Sequence, residues 1–311
     1  NEAIADAQTF NKQYGAKKPA QTAQIAFAVG AHYADQEQWD KAKGALTGSM
    51  STIDRAAPDI QVQAHATLAR AYAKLKADPL AKGEYAKVRG YWQNPGDAEA
   101  KIRSAYPGED KGQQDKRLAK TLNAVGEAFF YAAEEKRKAD VEPLKFPAYS
   151  GPGDKASVMK HIATKVKDWY LKKQAAIVKT EPEYVKILEL KPDAPPKWVI
   201  AAGSRAGLMW GDLVDDFRRA PIPAAWKTDA EIRGIYYDNL DAASEPYKVQ
   251  HAKPALKKCL DLSVKYQYFD EYSRACEVWL AKNYKAEYHV VDELRGAPTL
   301  SNSGLDEKAP P

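Results

Sequence analysis

The chain has 311 residues, 44% of them hydrophobic and 29% charged, a balance that fits a folded protein with a sizeable core and argues against a disordered segment. Its longest charge-free stretch, Pro19 to Ala34, carries Gln21, Thr22, Gln24 and His32 and is too short to cross a bilayer, so no transmembrane segment is expected. The net charge is only +5, and its one concentration is the run Asp154 to Lys179, where lysines 155, 160, 165, 167, 172, 173 and 179 stand against Asp154 and Asp168.

Asn1 follows no initiator methionine and no apolar leader, so the chain reads as a mature or trimmed product that has lost any targeting signal. Residues 3 to 14 place Ala7, Phe10 and Tyr14 at helical spacing, as the second helix of an earlier repeat would. Helices are predicted next at 20–35, 38–54, 59–76 and 78–92, with Pro58 and Pro79 near starts, where a missing N–H costs nothing. Within them one pattern occurs twice. Val29-Gly30 is followed by Tyr33, Trp39, Ala42 and Leu46, and Leu68-Ala69 by Tyr72, Ala81 and Tyr85, with Gly30 and Ala69 39 residues apart. A small residue lets two helices of a hairpin approach closely, and the aromatic three residues on fills the space beside the contact.

At these positions the chain resembles the tetratricopeptide repeat family. The resemblance implies helical hairpins that stack into a right-handed solenoid with a concave, partner-binding face. Two features depart from the family: the period exceeds about 34 residues, and the usual glycine between the helices is Glu37 in one copy and Lys76 in the other. Longer helices or a wider turn would absorb the extra residues.

Asn94-Pro95-Gly96 breaks the helical pattern. A long helix is then predicted from Gln113 to Lys138, with Leu118, Leu122, Val125, Phe129 and Ala132 on one face and Val125-Gly126 repeating the small-residue theme. The stretch Pro143 to Gly153 reads as a rigid, aromatic-bearing loop and the main domain boundary. Beyond it Asp154 can cap a helix carrying Ile162, Val166, Trp169 and Ile177 on one face and lysines on the other. Pro182 either kinks that helix or restarts it. After a second break at Lys191 to Pro196, Gly203, Gly207 and Gly211 lie on one helical edge, suited to close packing, beside Trp210, Leu213 and Phe217. Another helix carries Ile232, Ile235, Tyr236 and Leu240 before Pro246. A final hairpin spans Pro254 to Asn283, turning near Tyr268 to Glu271, and sets Cys259 and Cys276 about 4.5 Å apart along antiparallel helices. They form either a disulfide or two buried thiols. The expected organisation is all-α: residues 1–140 as repeats, 154–296 as an irregular region of longer helices, and 297–311 as an extended tail.

No catalytic motif emerges. None of His32, His65, His161, His251 and His289 has another histidine four residues away, and His289 with Asp292 and Glu293 reads as a solvated helix end, so no metal site is expected. Asp212, Asp215 and Asp216 beside Arg218 and Arg219 read as local ion pairs; acid–base work would require one of them to be desolvated. Gly203-Ser204-Arg205-Ala206-Gly207 misses the register of a nucleophile elbow, and no glycine-rich nucleotide loop is present, so no cofactor is expected. Tyr33 and Tyr72 read as core. The binding candidates are polar neighbours on the inner helices, His32, Arg70, Lys74 and Asn123, whose side chains suit a peptide backbone or carboxylate, together with Lys165, Lys172 and Lys173 of the lysine run.

The second half also resembles tetratricopeptide-repeat proteins of myxobacteria and their relatives, some of them associated with gliding-motility and cell-envelope machinery. That likeness rests on Lys145-Phe146-Pro147, Trp198 to Arg205 and Val264 to Glu271. It implies a periplasmic or outer-membrane-associated location, where a Cys259–Cys276 bond is favoured. The resulting expectation is a noncatalytic scaffold that binds partner proteins rather than nucleic acid. The alternatives are a cell-wall-acting enzyme using the Asp212 to Asp216 group and a nucleic-acid binder using the lysine-rich helix.

Overall fold

A computed structural model describes residues 2–290, and among them every regular element is helical. The chain divides into two compact units. Among the described residues, one comprises those up to Glu135 together with Lys186–Trp198, and the other comprises Lys136–Val185 together with those from Val199 onward. The predicted boundary loop at 143–153 therefore lies inside the second unit. The predicted extended tail, 297–311, lies outside the described residues, as do Asp292 and Glu293.

The first unit contains α1 (Glu2–Tyr14), α2 (Pro19–Asp35), α3 (Trp39–Thr47), α4 (Met50–Ile53), α5 (Pro58–Lys74), α6 (Asp78–Tyr91), α7 (Pro95–Ser104) and most of α8 (Lys111–Asp140). The period of 39 is visible in the helices themselves: α2 and α5 are both 17 residues long, both begin at a proline, and their starts are 39 residues apart, as are those of α3 and α6. Gly30 is buried where a Cβ would lie 2.5 Å from Leu46, so the small residue is required by the knob from the returning helix. Ala69 and Tyr85 occupy the matching positions and are buried too.

The missing turn glycines do not widen the turns. Glu37 and Lys76 adopt positive φ, 54° and 59°. Gln38 N–H donates to the Tyr33 carbonyl (2.8 Å) and Glu37 N–H to that of Ala34 (3.0 Å); Ala77 and Lys76 do the same to Tyr72 (2.9 Å) and Ala73 (3.1 Å). Both are Schellman caps, which reverse the chain in three residues at a backbone conformation that favours glycine. The extra length of the repeat therefore resides in the helices and in the α3–α4–α5 connection, where Gly48-Ser49 interrupts the predicted 38–54 helix. Asn94-Pro95, read as a break, starts α7: the Asn94 side chain accepts from Asp97 N–H, and Pro95 takes the first helical position.

Helices α5 and α8 run side by side in the same direction, because their polar contacts advance together along both. Asp59 meets Arg117 (2.8 Å), Gln63 meets Thr121 (3.5 Å), and Arg70 meets Glu127 (2.5 Å). In this register Gly126 matches Ala69, and a Cβ at Gly126 would lie 2.6 Å from the Trp198 ring.

The second unit holds α9 (Lys155–His161), a π-helical stretch (Ile162–Val166), most of α10 (Lys167–Leu188) and α11 (Pro196–Arg218), then α12 (Ala230–Tyr247), a second π stretch (Lys248–Ala252), α13 (Lys253–Tyr266) and α14 (Glu271–Asn283). Pro182 lies inside α10 without ending it. The loop before α9 is fastened by side chains: Trp169 Nε1 donates to the Leu144 carbonyl (3.2 Å), Trp226 Nε1 to that of Gly153 (2.9 Å), and the His161 ring to that of Pro147 (3.0 Å). The glycine edge of α11 receives α13 and α14. A Cβ at Gly207 would lie 2.7 Å from Leu256 and one at Gly211 2.7 Å from Trp279 Nε1, whereas at Gly203 the nearest atom is Cys259 Cβ at 3.6 Å. Cys259 and Cys276 are disulfide-bonded, with Cα atoms 6.6 Å apart, and join α13 to α14 in the buried layer beside that edge.

Candidate interaction surfaces

An apolar groove of about 350 Å³ lies in the first unit between α1, α2 and α3. It exists because α1 contributes no buried residue of its own and leaves part of the α2 face uncovered. Ile4, Ala7, Ile25, Val29 and Tyr33 give it apolar walls, while Gln8, Asn11, Lys41 and Ser49 supply donors and acceptors at its rim. Lys41 Nζ lies 5.6 Å from the centre of the Tyr33 ring, which keeps a cation at the mouth of the groove. An apolar floor with a few polar groups is what an amphipathic or extended peptide needs in order to be held and oriented.

A second hollow, about 460 Å³, is lined by Asp54, His65, Lys87, Gly90 and Tyr91. His65 is buried at its base between two carboxylates, Nδ1 2.5 Å from Glu84 and Nε2 3.0 Å from Asp54. Burial pushes the Glu84 carboxyl up, but its bonds to His65 and Lys87 outweigh that and hold it below the ordinary value. Residue spacing did not single out this cluster. Its sequence signal is a histidine flanked by small residues, Ala64-His65-Ala66, on the inner face of α5.

The predicted contact residues fall into different settings. His32 and Lys74 are exposed, with the Lys74 ammonium 5.8 Å from the Trp39 ring centre, and Asn123 is half-buried on α8. Arg70 is committed to the protein itself: it clasps the buried Glu127 through Nε (2.8 Å) and Nη2 (2.5 Å), and Tyr85 donates to the same carboxylate (2.7 Å). The Glu127 charge raises the Arg70 guanidinium, and burial followed by that charge raises the Tyr85 phenol. None of the four lines the α1–α3 groove.

In the lysine run, Lys165 and Lys172 are exposed, and Lys172 pairs with Asp168 (2.8 Å). Lys173 points the other way. It is buried, ion-paired with Asp216 and close to the Trp169 ring, and so leaves the exposed stripe on which it was expected. The pairing arises because positions 172 and 173 are about 100° apart on a helix, which sends one to solvent and the other to the core.

The acidic group of α11 is likewise tied into the fold. Asp215 pairs with Arg219 (2.7 Å) and Lys282 (3.0 Å), Asp216 with Lys173, and Arg218 with Asp241 (2.5 Å). Asp212 differs from its neighbours. Its side chain meets solvent, yet the protein packed around it pushes its carboxyl up by burial, with Asp216 and Asp215 adding to the shift and Lys173 and Arg137 opposing it. Among the described residues no cluster suited to a metal ion is present, and no helix is long and apolar enough to cross a membrane. No protein-family model, curated protein or solved structure matches the chain.

Proposed function

We propose that this protein is a noncatalytic scaffold whose first unit is a tetratricopeptide-like, right-handed solenoid that holds a polypeptide partner. The observation that carries the reading is the groove of α1–α3, an open apolar trough with a polar rim, set on hairpins that repeat in register every 39 residues. Stacked hairpins expose such troughs because each repeat buries its stripe only against its neighbours. The ion pairs of Asp215 and Asp216 support a structural reading of those two carboxylates, and Asp212, whose carboxyl burial raises, stays open to solvent.

The disulfide supports an oxidising compartment, in keeping with a periplasmic or outer-membrane-associated member of a bacterial envelope complex, gliding-motility machinery included. The test is affinity capture from bacterial envelope extract with the native chain and with Ala45→Trp, which fills the groove from α3. The same defined partner should be retained by the native protein and lost with the variant, while circular dichroism shows both folded. Equal recovery by the two proteins would remove the groove from the account.

A further inference from the structure

Helix α10 carries two apolar faces, and only one of them is buried among the described residues. Trp169, Ile177 and Tyr184 are buried, with Lys173 and Thr180 between them on the inward side. On the outward side Leu171, Val178 and Val185 are 50%, 54% and 41% exposed and stand seven residues apart. Ala175 and Pro182, also exposed, fill the positions between them at alternating intervals of four and three. Scattered apolar residues on a surface need no explanation. Five in unbroken heptad spacing are the pattern that one side of a two-helix contact presents, here over about 21 Å at 1.5 Å rise per residue.

The charges beside this seam are arranged on one edge. Lys172 and Lys179 each follow a seam residue by one position and are exposed, Lys172 with Asp168 beside it, so they set a cationic edge along the seam. Gln174 and Glu181 border the opposite edge. In paired helices these flanking positions choose the partner and its direction. Self-association in the antiparallel sense would set this edge against itself, lysine facing lysine. A lipid surface is served by a broad apolar face, and this seam is one residue wide per turn.

We propose that the outward face of α10 is a docking site for an amphipathic helix of another protein, one with a heptad apolar seam and glutamate or aspartate along the edge that meets Lys172 and Lys179. The site is on the second unit and does not use the α1–α3 groove, so either can fail without the other.

The test uses the full chain and a designed 21-residue helix with leucine along its seam and glutamate on both flanks, labelled for fluorescence anisotropy. A second helix with lysine flanks, vesicles of anionic phospholipid and sedimentation of the chain alone complete the set. The glutamate helix should bind saturably and more weakly as salt rises. Val178→Asp, at an exposed position and checked for folding by circular dichroism, should weaken binding by about tenfold or more. The pair Lys172→Glu and Lys179→Glu should transfer preference to the lysine helix. The proposal is overturned by equal binding of both helices, by binding that Val178→Asp leaves intact, by vesicle binding without helix binding, or by a Val178-dependent dimer of the chain that takes up neither helix.

Discussion

Replacing the three glycines on the edge of α11 with alanine, one at a time, should give results of opposite sign. Each replacement removes the helix-interior penalty of glycine, a gain of about 1 kcal/mol. At Gly203 nothing opposes it, because the new methyl would find Cys259 Cβ at 3.6 Å, ordinary contact, so Gly203→Ala should stabilise by about 1 kcal/mol. At Gly211 the methyl would sit 2.7 Å from Trp279 Nε1 and within 3.2 Å of two ring carbons. That indole is nearly buried and rigid, and overpacking of this kind costs about 1–3 kcal/mol. The net for Gly211→Ala is therefore a loss of up to about 2 kcal/mol. Gly207→Ala, whose methyl meets Leu256 Cγ and Cδ2 at 2.7 Å, should fall between the two, since a leucine can turn where an indole cannot. The helix contribution cancels in the comparison, so the spread between Gly203→Ala and Gly211→Ala, about 1–3 kcal/mol, reports the packing alone. Urea midpoints read by far-ultraviolet circular dichroism on the oxidised protein measure it. Three equal changes, or Gly203→Ala as the most damaging, would refute the packing of α13 and α14 on this edge.

Glu37→Gly and Lys76→Gly should each stabilise by about 0.5–1 kcal/mol, because a left-handed residue with a Cβ is strained, and by similar amounts, because the two caps are equivalent; urea midpoints giving opposite signs would separate the two hairpins. Arg70→Leu should cost about 3 kcal/mol by leaving Glu127 buried without its cation, and adding Glu127→Leu should recover most of that; a double variant as unstable as the sum of the singles in the same titration would count against the pair. Asp212 has a folded-state pKa above its unfolded value, so the folded form binds the extra proton and its stability falls as pH rises through that titration. Asp212→Asn should accordingly raise the urea midpoint at pH 7 and leave it unchanged at a pH where Asp212 is protonated; a variant less stable at pH 7 reverses the sign.

Much of the helical framework was readable because its signals are local. Pro58, Pro79 and the recurrence of Gly30 and Ala69 mark starts and close approaches within a few residues of the structure they produce. The edge Gly203-Gly207-Gly211 was legible as a packing surface, although which helix fills it was not. Asn94-Pro95 does separate two helices, but α7 beyond it was not legible, because the residues that end one helix also cap and start the next and α7 has too few turns to show a period. Glu37 and Lys76 pointed to a wider turn only because a side chain at a left-handed position is uncommon. The contact candidates were hardest to place. Arg70 and Lys173 find their carboxylates 57 and 43 residues away, at Glu127 and Asp216, so nothing near them in the chain announces that they are occupied. The groove was not legible either, since it depends on how little of α2 the first helix covers. The outward seam of α10 was in plain sight as heptad spacing, masked by a count of lysines that ignored what stood between them.

If the α1–α3 groove grips another polypeptide, site-specific photo-crosslinking will capture that polypeptide there. A crosslinking amino acid at Gln8, on the groove rim, is compared with one at the exposed Gln93, which lies outside it. On irradiation in envelope extract, position 8 should yield a discrete adduct, identified by mass spectrometry as one polypeptide, that disappears when Ala45→Trp fills the groove; position 93 should yield none. The same adducts from both positions, or an adduct from position 8 that persists with the groove filled, would contradict the account.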